Sequence, residues 1–309
     1  MGIDPADRKV NKCCGFQGVA AIDNIAALSI GQRFIDYCAA GRPFNVISVF
    51  DNAANLRAGG EILTIASNEA GRSPSSLTVH RASCLRLAIG ETCSHQPGRI
   101  RFRDSVVDYS QSPVWSGRVG ATYRQKLSWE SVCALNLALC RGSPPPGALC
   151  HGSLPHAAQR HGSPPSMALH TGQDSPLNRG IRKLTYDPEN GVRELIGLGP
   201  GLTPSGDDVI VGFIAVLNHY SDDTRHLRLV RDAVTASLRA TTDLSAQLLR
   251  NAIRFEYHEY IEDVLISLCD TPETVNPSAS RLLGVGATSG LDIASGMYHA
   301  AVFLTRGGD

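Results

Sequence analysis

Two stretches of this chain repeat one another, and that repeat restricts the fold more than any other feature. GLGPGLTPSGDD, residues 197–208, places four glycines and two prolines ahead of VIVGFIAVL, a run of helical character that is apolar on every face. GVGATSGLDIASG, residues 284–296, returns to the pattern near the C-terminus. Ser205, Gly206, Asp208 and Gly212 correspond to Ser289, Gly290, Asp292 and Gly296 at a spacing of 84, and Gly199, Gly201 and Thr203 to Gly284, Gly286 and Thr288 at a spacing of 85. A helix that is apolar all round is buried. The repeat therefore predicts two loop-plus-helix units paired across a pseudo-two-fold axis. Asp208 and Gly212, like Asp292 and Gly296, stand four residues apart on one helix face, so a crossing at the two glycines would bring two loops and two carboxylates together.

Such a convergence has chemical uses. Glycine enters φ > 0 geometries cheaply and admits a close backbone or ligand, Ser205 with Asp208 has the form of a capping box, and N–H groups at a helix N-terminus attract anions. This makes Gly199, Gly201, Thr203, Ser205, Gly206, Thr288, Ser289 and Gly290 candidate ligand-binding residues, and Asp207, Asp208 and Asp292 candidate catalytic ones. In RATTDLSAQLLRNA, residues 239–252, Thr242 and Ser245 offer further hydroxyls at a helix start, as caps or as ligand contacts. The cavity could hold a phosphate, a carboxylate, or a metal ion such as Mg2+ bridging carboxylate and substrate oxygens; no set of protein metal ligands is assigned. The competing reading is structural, with the aspartates facing the helix macrodipoles and the glycines permitting close packing. A Walker loop is excluded because no Gly-Lys-Ser/Thr follows, a dinucleotide fingerprint because the glycine spacing differs, and a serine-hydrolase elbow because no G-x-S-x-G occurs.

Lys plus Arg and Asp plus Glu both number 29, so no long-range field recruits nucleic acid or an anionic membrane. The longest apolar run, Val209 to Leu217, is far short of the roughly 20 residues of a membrane span. The nine cysteines form no CxxC pair, which fits free thiols in a reducing cytoplasm. At 309 residues, 42% hydrophobic and 19% charged, the chain has the make-up of a soluble enzyme or enzyme subunit, of about two domains.

The expected fold class is α+β. Residues 17–40 read as an amphipathic helix. NVISVF (45–50), EILTIA (61–66), SLTVHR (76–81), CLRLAI (84–89) and RIRFRDSVVDYS (99–110) read as strands of an antiparallel β-rich domain spanning 1–140. In RIRFR, Ile100 and Phe102 face one side and Arg99, Arg101 and Arg103 the other, either a solvated strand face or a basic surface for an anionic partner. Residues 141–180 contain a decapeptide quasi-repeat with glycines at 142, 152, 162 and 172 and histidines at 151, 156, 161 and 170, and its poverty in large apolar groups reads as a linker. Residues 181–309 read as a mainly helical domain carrying both Gly-rich motifs, with helices over Asp187–Ile196, Asp222–Leu238, Asp243–Phe255, Tyr260–Cys269 and Ser289–Leu304.

GLGPGLTPSGDDVIVG, TTDLSAQLL and GATSGLDIASG together resemble the AllH family, formerly a domain of unknown function, number 2877, and now named for a subunit of oxamate carbamoyltransferase. SVFDNAANLRAGGEILTIA and GRSPSSLTV resemble its β region. The sequence departs from the family pattern at Ala287, which stands where the family carries histidine, and at Ser73-Pro74, which stands for Gly-Pro. The resemblance implies a part in carbamoyl transfer between oxamate or oxalurate and phosphate in allantoin breakdown, alongside other carbamoyltransferase subunits, with carbamoyl phosphate or oxamate as the small anionic substrate. That chemistry needs a phosphate cradle, donors aimed at the carbamoyl oxygen and a proton-transfer group near the amine. Arg193, Arg239 and Arg250 are the basic residues nearest the motifs in sequence. A non-catalytic scaffold or regulatory subunit, and a metal-dependent enzyme of other specificity, are the alternatives.

Overall fold

The computed structural model describes residues 23–41, 43–118, 127–142 and 175–306. Most of the glycine-repeat segment at 141–180 and the first six positions of the helix expected over 17–40 lie outside them. The N-terminal half is a barrel built from β1 (Asp23–Gly31), β2 (Phe44–Val49), β3 (Ala53–Ala58), β4 (Glu61–Ser67), β5 (Ser76–Val79), β6 (Thr92–Gln96), β7 (Arg99–Arg101) and β8 (Ser105–Asp108). The strands run in the order β5-β4-β3-β2-β6-β7-β8-β1, and a β1–β5 pairing closes the ring. Closure removes the exposed edges that an open sheet would present. A short strand, β9 (Val114–Trp115), extends β1. The helix α1 (Gln32–Ala39) supplies Phe34 and Cys38 to the barrel core, where Phe44, Leu56, Leu63, Ile65, Leu77 and Ile100 are also buried.

Three ladders, β4–β5, β1–β8 and β1–β9, run parallel, so the barrel is mixed rather than the antiparallel domain expected. The expected helix over 17–40 is confined to Gln32–Ala39, because residues 23–31 form β1. Ile25, Leu28 and Ile30 fit either period, and pairing with β5 and β8 decides the matter. CLRLAI is likewise not a strand. Residues 82–85 form a 3-10 turn, and Arg86 follows at φ 48, in the left-handed region where no ladder continues. Residues 99–110 instead make the β7–β8 pair, with Ile100 and Phe102 buried and Arg99 and Arg101 exposed as their alternation requires.

The second half consists of α2 (Trp129–Gly142), α3 (Pro176–Tyr186), α4 (Pro188–Leu195), α5 (Ser205–Tyr220), α6 (Thr224–Ser237), α7 (Asp243–Ile253), α8 (Glu259–Leu268), α9 (Pro272–Leu283) and α10 (Ser289–Thr305). The whole chain is thus α+β. At the centre lies α5, buried without interruption from Gly206 to Leu217, with α10 as its main partner. Val132, Leu135, Ala138 and Leu139 of α2 join this helical core, although they precede position 141 in sequence. No helix among the described residues is long and apolar enough to cross a membrane.

Barrel and helices are fastened at the turn between α7 and α8. Glu256, 5% exposed, receives Nε and Nη2 of Arg33 at 2.7 and 3.1 Å and Nη2 of Arg118 at 3.1 Å. Nearby, the Arg72 N–H donates to Glu259 at 2.9 Å, and His258 Nε2 donates to the Ala70 carbonyl at 2.9 Å. Ser73-Pro74 lies in this junction, where the Pro74 carbonyl closes on Gly31 so tightly that a Cβ there would stand 2.1 Å from it.

Candidate functional site

The two repeats meet where their small residues allow it. A Cβ added to Gly212 on α5 would lie 1.9 Å from the Ile293 carbonyl oxygen, and one added to Gly296 on α10 would lie 2.0 Å from that of Val209. Positions 209, 212 and 213 map onto 293, 296 and 297 at the same spacing of 84. Each glycine therefore makes the same contact on the other helix, as a two-fold axis through the crossing requires.

The loops follow the same symmetry with a different alignment from the one the sequence suggests. The Gly206 N–H donates to the Leu198 carbonyl at 2.9 Å and the Gly290 N–H to that of Val285 at 3.0 Å. Leu198 and Val285 in turn donate to carbonyls in the last turns of α4 and α9, on Leu195 and Leu282. Gly197-Leu198-Gly199 is thus equivalent to Gly284-Val285-Gly286, 87 positions apart, and the first loop holds three extra residues. Gly199 within it adopts φ 120, which only glycine tolerates. Its rim, at Gly199 and Gly201, is exposed, as are Gly286, Ala287 and Thr288 of the second loop.

The N-termini of α5 and α10 carry less free donor capacity than expected. Pro204, not Ser205, is the N-cap of α5, and its carbonyl accepts the N–H groups of Asp207 and Asp208 at 2.9 and 3.2 Å. With Pro204 at the N-cap, Ser205 is already the first helical residue, so the Ser205/Asp208 capping box does not form. Thr288 caps α10 without a side-chain bond. Freed from capping, Ser289 Oγ meets Thr203 Oγ1 at 2.9 Å and ties the two loops together.

The three aspartates divide in role. Asp207, fully buried, accepts the Gly197 N–H at 2.8 Å and the Ser245 hydroxyl at 2.7 Å, together with the Thr241 hydroxyl. Thr242 Oγ1 accepts the Ser245 N–H at 3.1 Å and donates to the Leu202 carbonyl. Asp207, Thr242 and Ser245 therefore fasten the first loop to the start of α7, and the protein itself occupies their polar atoms. Asp208 is different. It is 1% exposed, Asp292 is 2% exposed, and Asp208 Oδ2 has no hydrogen-bond partner among the described residues. Burial raises the Asp208 carboxyl to about 8 against the pull of the Ser289 hydroxyl, and the Asp292 and Asp207 charges add to the rise. At neutral pH the group is a neutral acid, with the Ser289 and Thr203 hydroxyls between it and the loops.

No group of three or more His, Cys, Asp or Glu side chains among the described residues is placed to hold a metal. Asp208 and Asp292 are the two carboxylates a magnesium ion could use, and the neutral state of Asp208 does not fit that role. Of the three arginines nearest the motifs in sequence, Arg193 and Arg239 are exposed and Arg250 is half-buried. The Thr203–Ser289 contact and the Glu256 junction join residues 86 and up to 223 positions apart, and no local pattern in the sequence marks either pairing.

A family model described as oxamate carbamoyltransferase subunit AllH matches residues 195–301, which hold both loops and the helix crossing. A second, described as the AllH family N-terminal domain, matches residues 26–114, the barrel. No solved structure matches the chain.

Proposed function

Since the chain belongs to the AllH family, we propose that it serves as a subunit of an oxamate carbamoyltransferase-like complex and that the paired loops contribute to carbamoyl transfer. The observation that carries this reading is the Thr203–Ser289 bridge above a buried, neutral Asp208. In the transfer, a phosphate oxygen attacks the carbamoyl carbon of oxalurate, the bond to the oxamate nitrogen breaks, and that nitrogen must gain a proton as it leaves. Asp208, poised near working pH, suits a general acid, and Ser289 and Thr203 offer hydroxyls through which its proton reaches the loop surface. In the reverse direction the same carboxylate takes the proton from the attacking oxamate nitrogen. The exposed rim at Gly199, Gly201 and Thr288, with Ser205 and Ser289 behind it, is the place for the anionic substrate. Partner subunits would supply the positive charge that these loops lack.

A scaffold or regulatory role is favoured by one observation. The Gly206, Asp207, Asp208 and Gly290 N–H groups are spent on internal carbonyls, which leaves less for a ligand. Assay separates the two readings. The chain is measured alone and reconstituted with its partner subunits, with and without magnesium, for carbamoyl phosphate formed from oxalurate and phosphate. A catalytic contribution requires that Asp208→Asn lower kcat of the assembled complex by about 10²-fold or more. Full activity in a complex containing Asp208→Asn leaves the scaffold reading standing.

A further inference from the structure

The three arginines of the β7 region do not share one fate. Arg99 is paired with Asp108, its Nε 2.9 Å from Oδ2. Arg101 and Arg103 are exposed and have no ion-pair partner among the described residues, and both line a cavity of about 460 Å³. The Glu91 carboxylate accepts the backbone N–H groups of Arg103 and Ala88 at 2.7 and 3.2 Å and does not line the cavity. No carboxylate among the described residues lines the cavity, whereas Thr92, Ser94 and His95 do. The His95 ring is held by stacking on Phe44, centroids 5.2 Å apart and planes 23° from parallel.

We propose that this cavity is a second anion site that binds a small phosphate ester, with Arg101 and Arg103 as its charged clamp. Arg101 is the last residue of β7 and Arg103 stands in the turn that follows, where the Phe102 N–H donates to the Ser105 carbonyl at 2.8 Å, and both residues line the cavity. Two guanidinium groups on one cavity can hold a dianionic phosphate together, each with a planar fork of donors. The cavity is large enough for the organic part of the ester, and the flat face of His95 gives that part a surface. The site is separate from the paired loops. β7 stands four strands from β4 in the closed ring, while β4 and the 69–75 turn after it face α7 and α8. The cavity thus opens on the side of the barrel away from the helices. Binding of the ester here is independent of the loop chemistry.

The test is calorimetric titration of ribose 5-phosphate, with inorganic phosphate as the minimal probe, into the full chain and three variants. These are Arg101→Gln/Arg103→Gln, Thr203→Val/Ser289→Ala, and Arg99→Gln. The phosphate ester should bind the loop variant and Arg99→Gln as it binds wild type, and should bind the Arg101/Arg103 variant at least about tenfold more weakly, as the loss of charge-assisted hydrogen bonds implies. Both arginines are at the surface, so equal melting temperatures check that the fold persists. Undiminished binding to the Arg101/Arg103 variant, or no binding to wild type, overturns the proposal. Loss of binding in the loop variant alone also overturns it while supporting the loop reading.

Discussion

Replacing Gly212 by alanine tests the helix crossing with the smallest possible perturbation. The added methyl would lie 1.9 Å from the Ile293 carbonyl oxygen, whereas carbon–oxygen contacts settle at about 3.3 Å. The shortfall of about 1.4 Å cannot be relieved by a rotamer change, because the methyl has no torsion to turn and the obstacle is backbone. The α5 and α10 axes must separate, and the apolar contacts along both helices loosen with them. Overpacking costs about 1–3 kcal/mol, and a backbone obstacle belongs at the upper end. Against this, alanine gains about 1 kcal/mol over glycine in helix propensity. Packing wins, leaving a net loss of about 2 kcal/mol. At roughly 2–4 °C per kcal/mol for a domain of this size, the melting temperature falls by about 4–8 °C. Gly296→Ala, 2.0 Å from the Val209 carbonyl, should behave alike. The double variant should lose less than the sum, because one separation of the helices makes room for both methyls. Gly60→Ala, with nothing within 4 Å of the added carbon, is the neutral control. Thermal melts measure all four, and a melting temperature for either helix variant within about a degree of wild type refutes the crossing and the site built on it.

Asp208→Asn should flatten the dependence of stability on pH. The folded carboxyl stands at about 8, above its ordinary 3.8, so its contribution is fully present below the ordinary value and is lost as pH rises through 8, at up to about 1.4 kcal/mol per pH unit. Melts from pH 5 to 9 with equal slopes in both proteins would contradict a neutral Asp208. Ser289→Ala, which cuts the hydroxyl link between Asp208 and the first loop, should lower kcat in the reconstituted complex by about 10²-fold with little change in melting temperature; an unchanged kcat removes the relay. Glu256→Ala leaves Arg33 without its partner and should cost about 2 kcal/mol, less than a fully buried pair because Arg33 is 23% exposed. A double-mutant cycle with Arg33→Ala should show coupling above about 1 kcal/mol, and additive effects would mean that the bridge does not fasten the barrel.

Where periodicity is unambiguous the sequence was sufficient. The helices at 188–195, 243–253, 259–268 and 289–305 lie where their apolar spacing puts them, and the repeat at 205–212 and 289–296 announced both a buried pair of helices and their crossing point. The period-2 runs at 45–50, 61–66 and 76–81 correspond to β2, β4 and β5. These features are legible because each is encoded within a dozen residues, in side-chain period or in glycine's special backbone.

What the sequence left undecided depends on partners distant in the chain. Residues 23–31 fit a helix or a strand, and only β5 and β8, more than 45 positions away, chose the strand and closed a barrel with parallel ladders. Asp207 and Asp208 are neighbours of one chemical kind. The hydroxyls of Thr241 and Ser245 take up one and leave it a fastening, while burial beside Asp292 leaves the other a neutral acid with an oxygen to spare. Arg99 and Arg101 alternate identically on one strand, yet Asp108 across the ladder neutralises the first and nothing among the described residues neutralises the second. Residue type and spacing state which groups are available. Desolvation and charge pairing depend on every atom within a few ångströms, and that neighbourhood exists only once the chain has folded.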